Sequence, residues 1–206
     1  YNNIDSVPLK LKKIIDNSEI DKSSLIESFL VRNGFSEVIN FPFTSIKDKC
    51  SIVIDNPLDS NRENFRTCIK ESLISNLLYN ERRQKDSIKL FEISDIYKKN
   101  PDIKQKKILG VIISGRLGND HINFSKKLDQ KYLNQLLNEN LDNEYFTVVE
   151  IPRIDLDTKK KDKIFYVEIP LDEIPELFFS SLDDAGKKSV NFVSYTSISE
   201  FPSSTR

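Results

Sequence analysis

The sequence predicts an α+β fold, a largely antiparallel sheet flanked by helices, and three observations carry that prediction. Two apolar stretches, residues 88–97 and 108–114, flank a polar turn over 98–107 around Pro101 and read as the strands of a long antiparallel hairpin. Three other stretches repeat apolar residues at helical spacing. Strand candidates come in hairpin-joined pairs with helices inserted between the pairs, a pattern of antiparallel or mixed sheets rather than of strictly alternating α/β folds.

Taken in order, residues 7–20 mix apolar residues with lysines after Pro8 and fit either a short helix or an extended lead-in. The first clear helix follows. Asp21 or Ser23 can cap it, Leu25, Ile26, Phe29 and Leu30 recur on one face, and Gly34 suits the left-handed residue that stops it. Residues 35–43 then change period: Ile39, Phe41 and Phe43 are expected to share one face of a strand, with Pro42 placing it at an edge or a bulge. Residues 51–55 form a short strand candidate closed by Asn56-Pro57. A second helix carries Ile69, Leu73, Ile74, Leu77 and Leu78 towards Arg82-Arg83, whose positive charges complement the helix dipole. Beyond the hairpin, a third helix over 125–140 carries Leu128, Tyr132, Leu133, Leu136 and Leu137 on one stripe. Strands are expected at 145–151 and 164–169, separated by a solvated turn with Lys159, Lys160 and Lys161. A short helix over 171–182, despite Pro175, and a strand over 192–198 complete the reading.

At 206 residues the chain fits one ordinary domain. With 31 Lys plus Arg against 32 Asp plus Glu, the net charge of −1 lacks the excess of an autonomous phosphate-backbone binder, so any RNA contact should be local or shared with another domain. No apolar run approaches the length of a membrane span, and residues 1–5 have neither the basic nor the apolar region of a secretory leader, so a soluble, non-secreted protein is expected. The start at Tyr1 is expected of a piece excised from a longer polypeptide. Cys50 and Cys68 belong to no metal-ligand or redox motif and read as buried free thiols of a reducing compartment.

Residues that could carry chemistry are sparse. The single histidine, His121, sits between Asp120 and Ile122 in a polar stretch and reads as a surface loop residue rather than a catalytic base. Glu81, Asp86, Glu92 and Asp95 lack the dense spacing of an oxygen-ligand site and read as solvated charge. The five glycines are too scattered for a phosphate cradle, and Gly115-Arg116-Leu117-Gly118 reads as a turn. No catalytic, cofactor-binding or metal-binding residue is therefore assigned. Phe29, Phe41 and Phe43 divide between core packing and burial in a subunit interface. Arg66 is expected to hold a carboxylate inside the fold.

Several segments, in order and at suitable spacing, resemble the beta subunit of phenylalanine-tRNA ligase, a class II aminoacyl-tRNA synthetase. Tyr1-Asn2-Asn3-Ile4 followed by Pro8 is similar to the stretch leaving that family's preceding domain, and Val31-Arg32-Asn33-Gly34-Phe35-Ser36-Glu37-Val38-Ile39 to its helix, Gly-aromatic and Glu-Val passage into a strand. Asn56-Pro57-Leu58, Phe65-Arg66-Thr67 and Leu73-Ile74 resemble its Asn-Pro-Leu and Leu-Arg-Thr-Ser-Leu-Leu-Pro stretch, and Asn80, Arg83, Leu90-Phe91-Glu92-Ile93 and Ile96-Tyr97 its next helix and strand. Gly110 to Gly115 fits the return strand, and Phe201-Pro202-Ser203-Ser204-Thr205-Arg206 the passage towards a C-terminal anticodon-binding domain. The chain departs from the family at Glu71 and Ser72, in lacking a Trp-bearing stretch after Gly115, and in a shorter 151–163 connection.

The resemblance implies a class II synthetase-like fold organised as a lead-in over 1–20, a catalytic-like module over 21–199 and a linker over 200–206. It implies an enzyme subunit whose whole assembly, an alpha2beta2 heterotetramer in the cytoplasm, attaches phenylalanine to its tRNA using ATP and Mg2+. This module itself is expected to bind no cofactor: Lys98 and Asn100 stand where the family's second motif would place nucleotide-binding residues, and the Gly-rich third motif is absent. Its expected role is to pack against the alpha subunit. The alternative reading is a free-standing class II-like paralogue acting in regulation or assembly.

Overall fold

The computed structural model describes residues 22–57, 59–118, 122–123, 125–138, 145–154 and 156–174. His121, the lead-in over 1–20, the strand expected at 192–198 and the linker over 200–206 lie outside these residues.

The first helix, α1 (Lys22–Arg32), ends as expected at Gly34, which adopts a φ of +79° while the Phe35 amide turns back to the Leu30 carbonyl at 3.0 Å. The chain then enters the sheet for only two residues, β1 (Ser36–Glu37). A second short strand, β2 (Phe43–Thr44), leaves the main sheet and pairs antiparallel with β3 (Asn64–Phe65). The continuous strand expected over 35–43 is thus absent, and its supposed apolar face with it, since Ile39 is 91% and Phe41 63% exposed. Pro42 gives the reason. It has no N–H for a ladder, and its carbonyl is taken by the Arg66 amide at 2.9 Å. Residues 51–55 likewise form only an isolated bridge, Val53 to Asn64, rather than a strand.

The second helix, α2 (Lys70–Arg82), matches its expected span, and the hairpin β4 (Ser87–Asn100) and β5 (Asp102–Gly115) follows. The register is unbroken from Ser87↔Gly115 to Asn100↔Asp102, so the polar run 98–107 is paired strand on both sides of a tight turn at Pro101, not a ten-residue turn. After the hairpin, α3 (Gln130–Asn138) begins later than expected, because Asp129 caps it through the Tyr132 amide at 2.8 Å. Leu128 is buried but lies outside the helix, its amide donating to the Gly115 carbonyl at 2.8 Å. β6 (Val149–Ile151) is shorter than the expected 145–151, and β7 (Ile164–Pro170) runs one residue beyond the expected 164–169. The helix expected from 171 begins as a single 3-10 turn, Leu171–Glu173, and its remainder from 175 lies outside the described residues.

The main sheet has the order β1-β4-β5-β7-β6, antiparallel throughout except for the parallel β1–β4 pair at one edge. Strict alternation along its central strands makes two cores. Phe91, Leu109, Val111, Ile113, Phe165, Val167 and Ile169 face Ile26 and Leu30 of α1 and Leu133, Leu136 and Leu137 of α3. The intervening Ile88, Leu90, Ile108, Ile112, Ile164 and Tyr166 face Ile69, Leu73, Ile74 and Leu77 around α2. Each fully buried Leu, Ile or Phe contributes roughly 1.5–3 kcal/mol. Gly110 lets α2 sit low on the sheet: a Cβ there would lie 2.5 Å from Ile69 Cδ1 and 2.8 Å from Leu73 Cδ1.

Candidate interaction surface

The three phenylalanines singled out in the sequence part company. Phe29 is half-buried and packs against the α1/α3 core, as plain core packing requires. Phe41 is 63% exposed, with the Arg62 guanidinium carbon 4.4 Å from its ring centre. Phe43 lies at the lip, meeting Phe65 edge-on at 5.1 Å between centroids, and Phe65 in turn meets Tyr97 at 4.9 Å. The outcome is an aromatic ridge on the small β2–β3 sheet, joined to the hairpin through Tyr97. Ile39, Ile46 and Val53, each more than half exposed, add apolar surface on the same chain segments. Exposed apolar side chains concentrated this way make these segments the candidate interaction surface. Phe65 and Tyr97 escaped the sequence reading. Their signal was present in Phe65-Arg66-Thr67 and Ile96-Tyr97, but the partnership spans separate elements.

Beneath the ridge lies a buried ion pair. Arg66 Nη1 donates to Glu92 Oε1 at 2.7 Å, with only 3% and 2% of the two side chains exposed. The rest of the guanidinium is also used, Nε by the Asp95 carbonyl at 3.3 Å and Nη2 by the Ser94 hydroxyl. Glu92 Oε2 accepts from Asn40 at 2.8 Å, and Asn40 accepts from Asn76 of α2 at 2.9 Å. This network ties the irregular 38–42 segment to α2 and β4. The internal role expected of Arg66 holds, whereas the solvated role expected of Glu92 does not.

A second pair repeats the arrangement at the other end of α2. Arg153 grips Glu81 through two bonds of 2.7 and 3.0 Å, while its remaining donors reach Ser114 at 3.0 Å and the Asp162 carbonyl. Thr158 also donates to Glu81 at 2.7 Å, and Glu81 is only 6% exposed, so it too is structural rather than solvated. Asp86 stays at the surface, but the Lys160 ammonium hydrogen-bonds it at 2.6 Å and holds its carboxyl below the usual range. Lys160 also donates to the Lys85 carbonyl, so this member of the lysine run is a clasp and not free charge. The half-buried Asp95 uses its carbonyl rather than its carboxylate in the Arg66 network.

One further polar contact lies on the sheet face under α2. Tyr166 donates its hydroxyl to Glu168, and burial, then the Glu168 charge, pushes its phenol well above the ordinary value. Burial likewise raises the Cys68 thiol. Both cysteines are free, and both are half-buried rather than fully buried as expected. Among the described residues no group of three or more His, Cys, Asp or Glu side chains could hold a metal ion, and no helix is long and apolar enough to cross a membrane.

This arrangement of helices on both faces of a mostly antiparallel sheet matches a solved synthetase. The crystal structure of pyrrolysyl-tRNA synthetase from Desulfitobacterium hafniense superposes with a TM-score of 0.51 at 12% identity, covering 79% of this chain and 68% of that one. The fold is therefore that of a class II aminoacyl-tRNA synthetase. Within that class, the family model described as the phenylalanyl tRNA synthetase beta chain CLM domain matches residues 9–147, and the chain belongs to that family. Similar curated proteins are the phenylalanine-tRNA ligase beta subunits of Buchnera aphidicola subsp. Acyrthosiphon pisum, 30% identical over 56% of this chain, and of Mesoplasma florum, 28% identical over 69%. That of Photorhabdus laumondii is 26% identical over 62%. The chain spans under a fifth of the length of these relatives, 16%, 19% and 18% respectively.

Proposed function

We propose that this chain is the catalytically silent segment of a phenylalanine-tRNA ligase beta subunit, which docks against an alpha subunit and leaves amino-acid activation to it. The whole enzyme would be a cytoplasmic alpha2beta2 assembly joining phenylalanine to its tRNA with ATP and Mg2+.

One observation carries the silent role: among the described residues, the arginines paired with buried glutamates, Arg66 and Arg153, spend their guanidinium donors on the protein's own carboxylates, hydroxyl groups and carbonyls. A triphosphate and an adenylate-forming transition state need fixed, converging positive donors. Neither arginine could supply one without leaving a buried glutamate unpaired. The residues present thus do not fit ATP and its Mg2+, and no catalytic step is assigned to them.

The aromatic ridge supports docking, with Phe41 and Phe43 as anchors and Arg62 at the rim. Phe29 keeps its place in the core. Co-purification of this chain with a tagged phenylalanine-tRNA ligase alpha subunit is expected to give a stoichiometric complex, and Phe41→Asp should abolish it while leaving the chain folded. A chain that stays alone beside alpha, or a Phe41→Asp variant that still assembles, would contradict the docking role.

A further inference from the structure

The hairpin holds a feature that the docking role does not use. On the side away from β4, β7 covers β5 only as far as Ile108, opposite Pro170, and among the described residues no strand pairs there with 102–107. Every residue from 98 to 107 is exposed. An uncovered edge of this kind presents a row of backbone N–H and C=O groups. Its side chains sort by face. Lys104 and Lys106 share one face with Lys98, which stands directly opposite Lys104, while Gln105 and the 62% exposed Ile103 lie on the other. Lys98, Asn100, Lys104 and Lys106 ring a shallow hollow of about 180 Å³ floored by the buried Ile96. Residues 98–107 carry five lysines against Asp102, a local charge of +4 on a chain whose total is −1. Lys98 and Lys104 have no ion-pair partner among the described residues, and like charges facing each other cost stability unless an outside anion offsets them. The chain itself supplies one such anion: Glu173, from the 3-10 turn that follows β7, reaches Lys106 at 3.2 Å.

From this open edge and the lysines lined along one of its faces, we infer that the distal half of β5 takes an extended acidic segment of a partner protein as an added strand. The partner's backbone continues the ladder that β5 leaves unpaired, and its side chains decide which segment fits. Residues two apart in an extended strand lie roughly 7 Å from one another on the same face, the repeat of Lys104 and Lys106. Alternate carboxylates therefore fall over Lys98, Lys104 and Lys106, as the Glu173 carboxylate already does at Lys106. The side chains between them fall on the face of Ile103, so the segment alternates acidic and apolar residues. A second copy of this strand would bring lysines against lysines. A nucleic acid has no row of amide donors and carbonyl acceptors with which to continue a ladder.

The test is fluorescence anisotropy of the full chain, without any partner, with a fluorescein-labelled peptide of alternating Glu and Val. The parent should bind it, and Lys98→Ala/Lys104→Ala should bind roughly tenfold more weakly. Lys159→Ala/Lys161→Ala removes two exposed lysines beside Lys160, which contacts Asp86 at the opposite end of β4, and should bind as the parent does. Methylating alternate peptide nitrogens should abolish binding in one frame and leave it in the other, because only one edge of an added strand faces β5. No binding by the parent, equal losses in the two lysine variants, or methylation frames that bind alike would overturn the inference. So would an oligouridylate of equal charge that displaces the peptide as well as unlabelled peptide does, since the edge would then be a surface for any polyanion.

Discussion

The two halves of the β4–β5 hairpin share one hydrogen-bond ladder and live in opposite environments. From Ser87 to Ile96, and in return from Ile108 to Gly115, the strands are sandwiched between the α1/α3 core and the α2 core, and Phe91, Val111, Ile112 and Ile113 are wholly inaccessible. From Lys98 to Lys107 the same ladder continues with no layer on either side. Backbone pairing alone therefore sets the geometry of both halves, while burial sets what each can do. The covered half pairs its most deeply buried charge internally, Glu92 with Arg66. The uncovered half carries Lys98, Lys99 and Lys104 in the open, and only Lys106 is ion-paired there, with Glu173, among the described residues.

Substitutions that trade one environment for the other test this contrast. The largest effect belongs to Glu92→Ala, which strands the Arg66 guanidinium in the interior and should cost about 3–5 kcal/mol in urea unfolding. Replacing both partners, as Arg66→Met with Glu92→Leu, should recover most of that loss, and a double variant as unstable as the single one would disprove the burial argument. Gly110→Val drives a branched side chain into Ile69 and Leu73 and should cost about 1–3 kcal/mol. In the distal half, Lys104→Val should shift stability by about 0.5 kcal/mol or less.

Alkaline pH separates the halves in another way. Burial and Glu168 raise the folded Tyr166 phenol above its unfolded value of about 10. The unfolded chain therefore releases this proton first. Its contribution is fully present below about pH 10 and is lost as pH rises beyond it. Stability measured across that range should decline in the parent and decline less in Tyr166→Phe. A smaller change is expected on shortening the ribbon, by replacing residues 99–103 with Asn-Gly so that Lys98 still faces Lys104. The loss of the Lys99 amide bond to the Cys50 carbonyl should cost about 1 kcal/mol, with the core untouched.

The covered half was legible in the sequence because alternation over 88–97 and 108–114 and helical spacing over 69–82 are local signals. What stayed hidden depends on distant partners. Glu81 and Glu92 read as solvated because Arg153 and Arg66, which make their burial possible, lie 72 and 26 residues away in sequence. The aromatic alternation at Ile39, Phe41 and Phe43 mimicked a strand, yet Pro42 could not extend the ladder and Asn40 was drawn to Glu92 instead. The polar run 98–107 was taken for a turn because polarity marks solvent, and both a loop and an uncovered ribbon meet solvent. Of the three phenylalanines that sequence left between core and interface, Phe29 is the one that packs against the core. Interior position there follows from α1 packing against the far face of the sheet, which spacing along one helix does not specify.

Phenylalanine-dependent ATP–pyrophosphate exchange by the purified chain, with and without an alpha subunit, bears most directly on the silent role. Exchange is expected only when alpha is present, at a rate unaffected by Lys98→Ala. Exchange by this chain alone would mean that its residues bind and activate a nucleotide, and the scaffold account would fail.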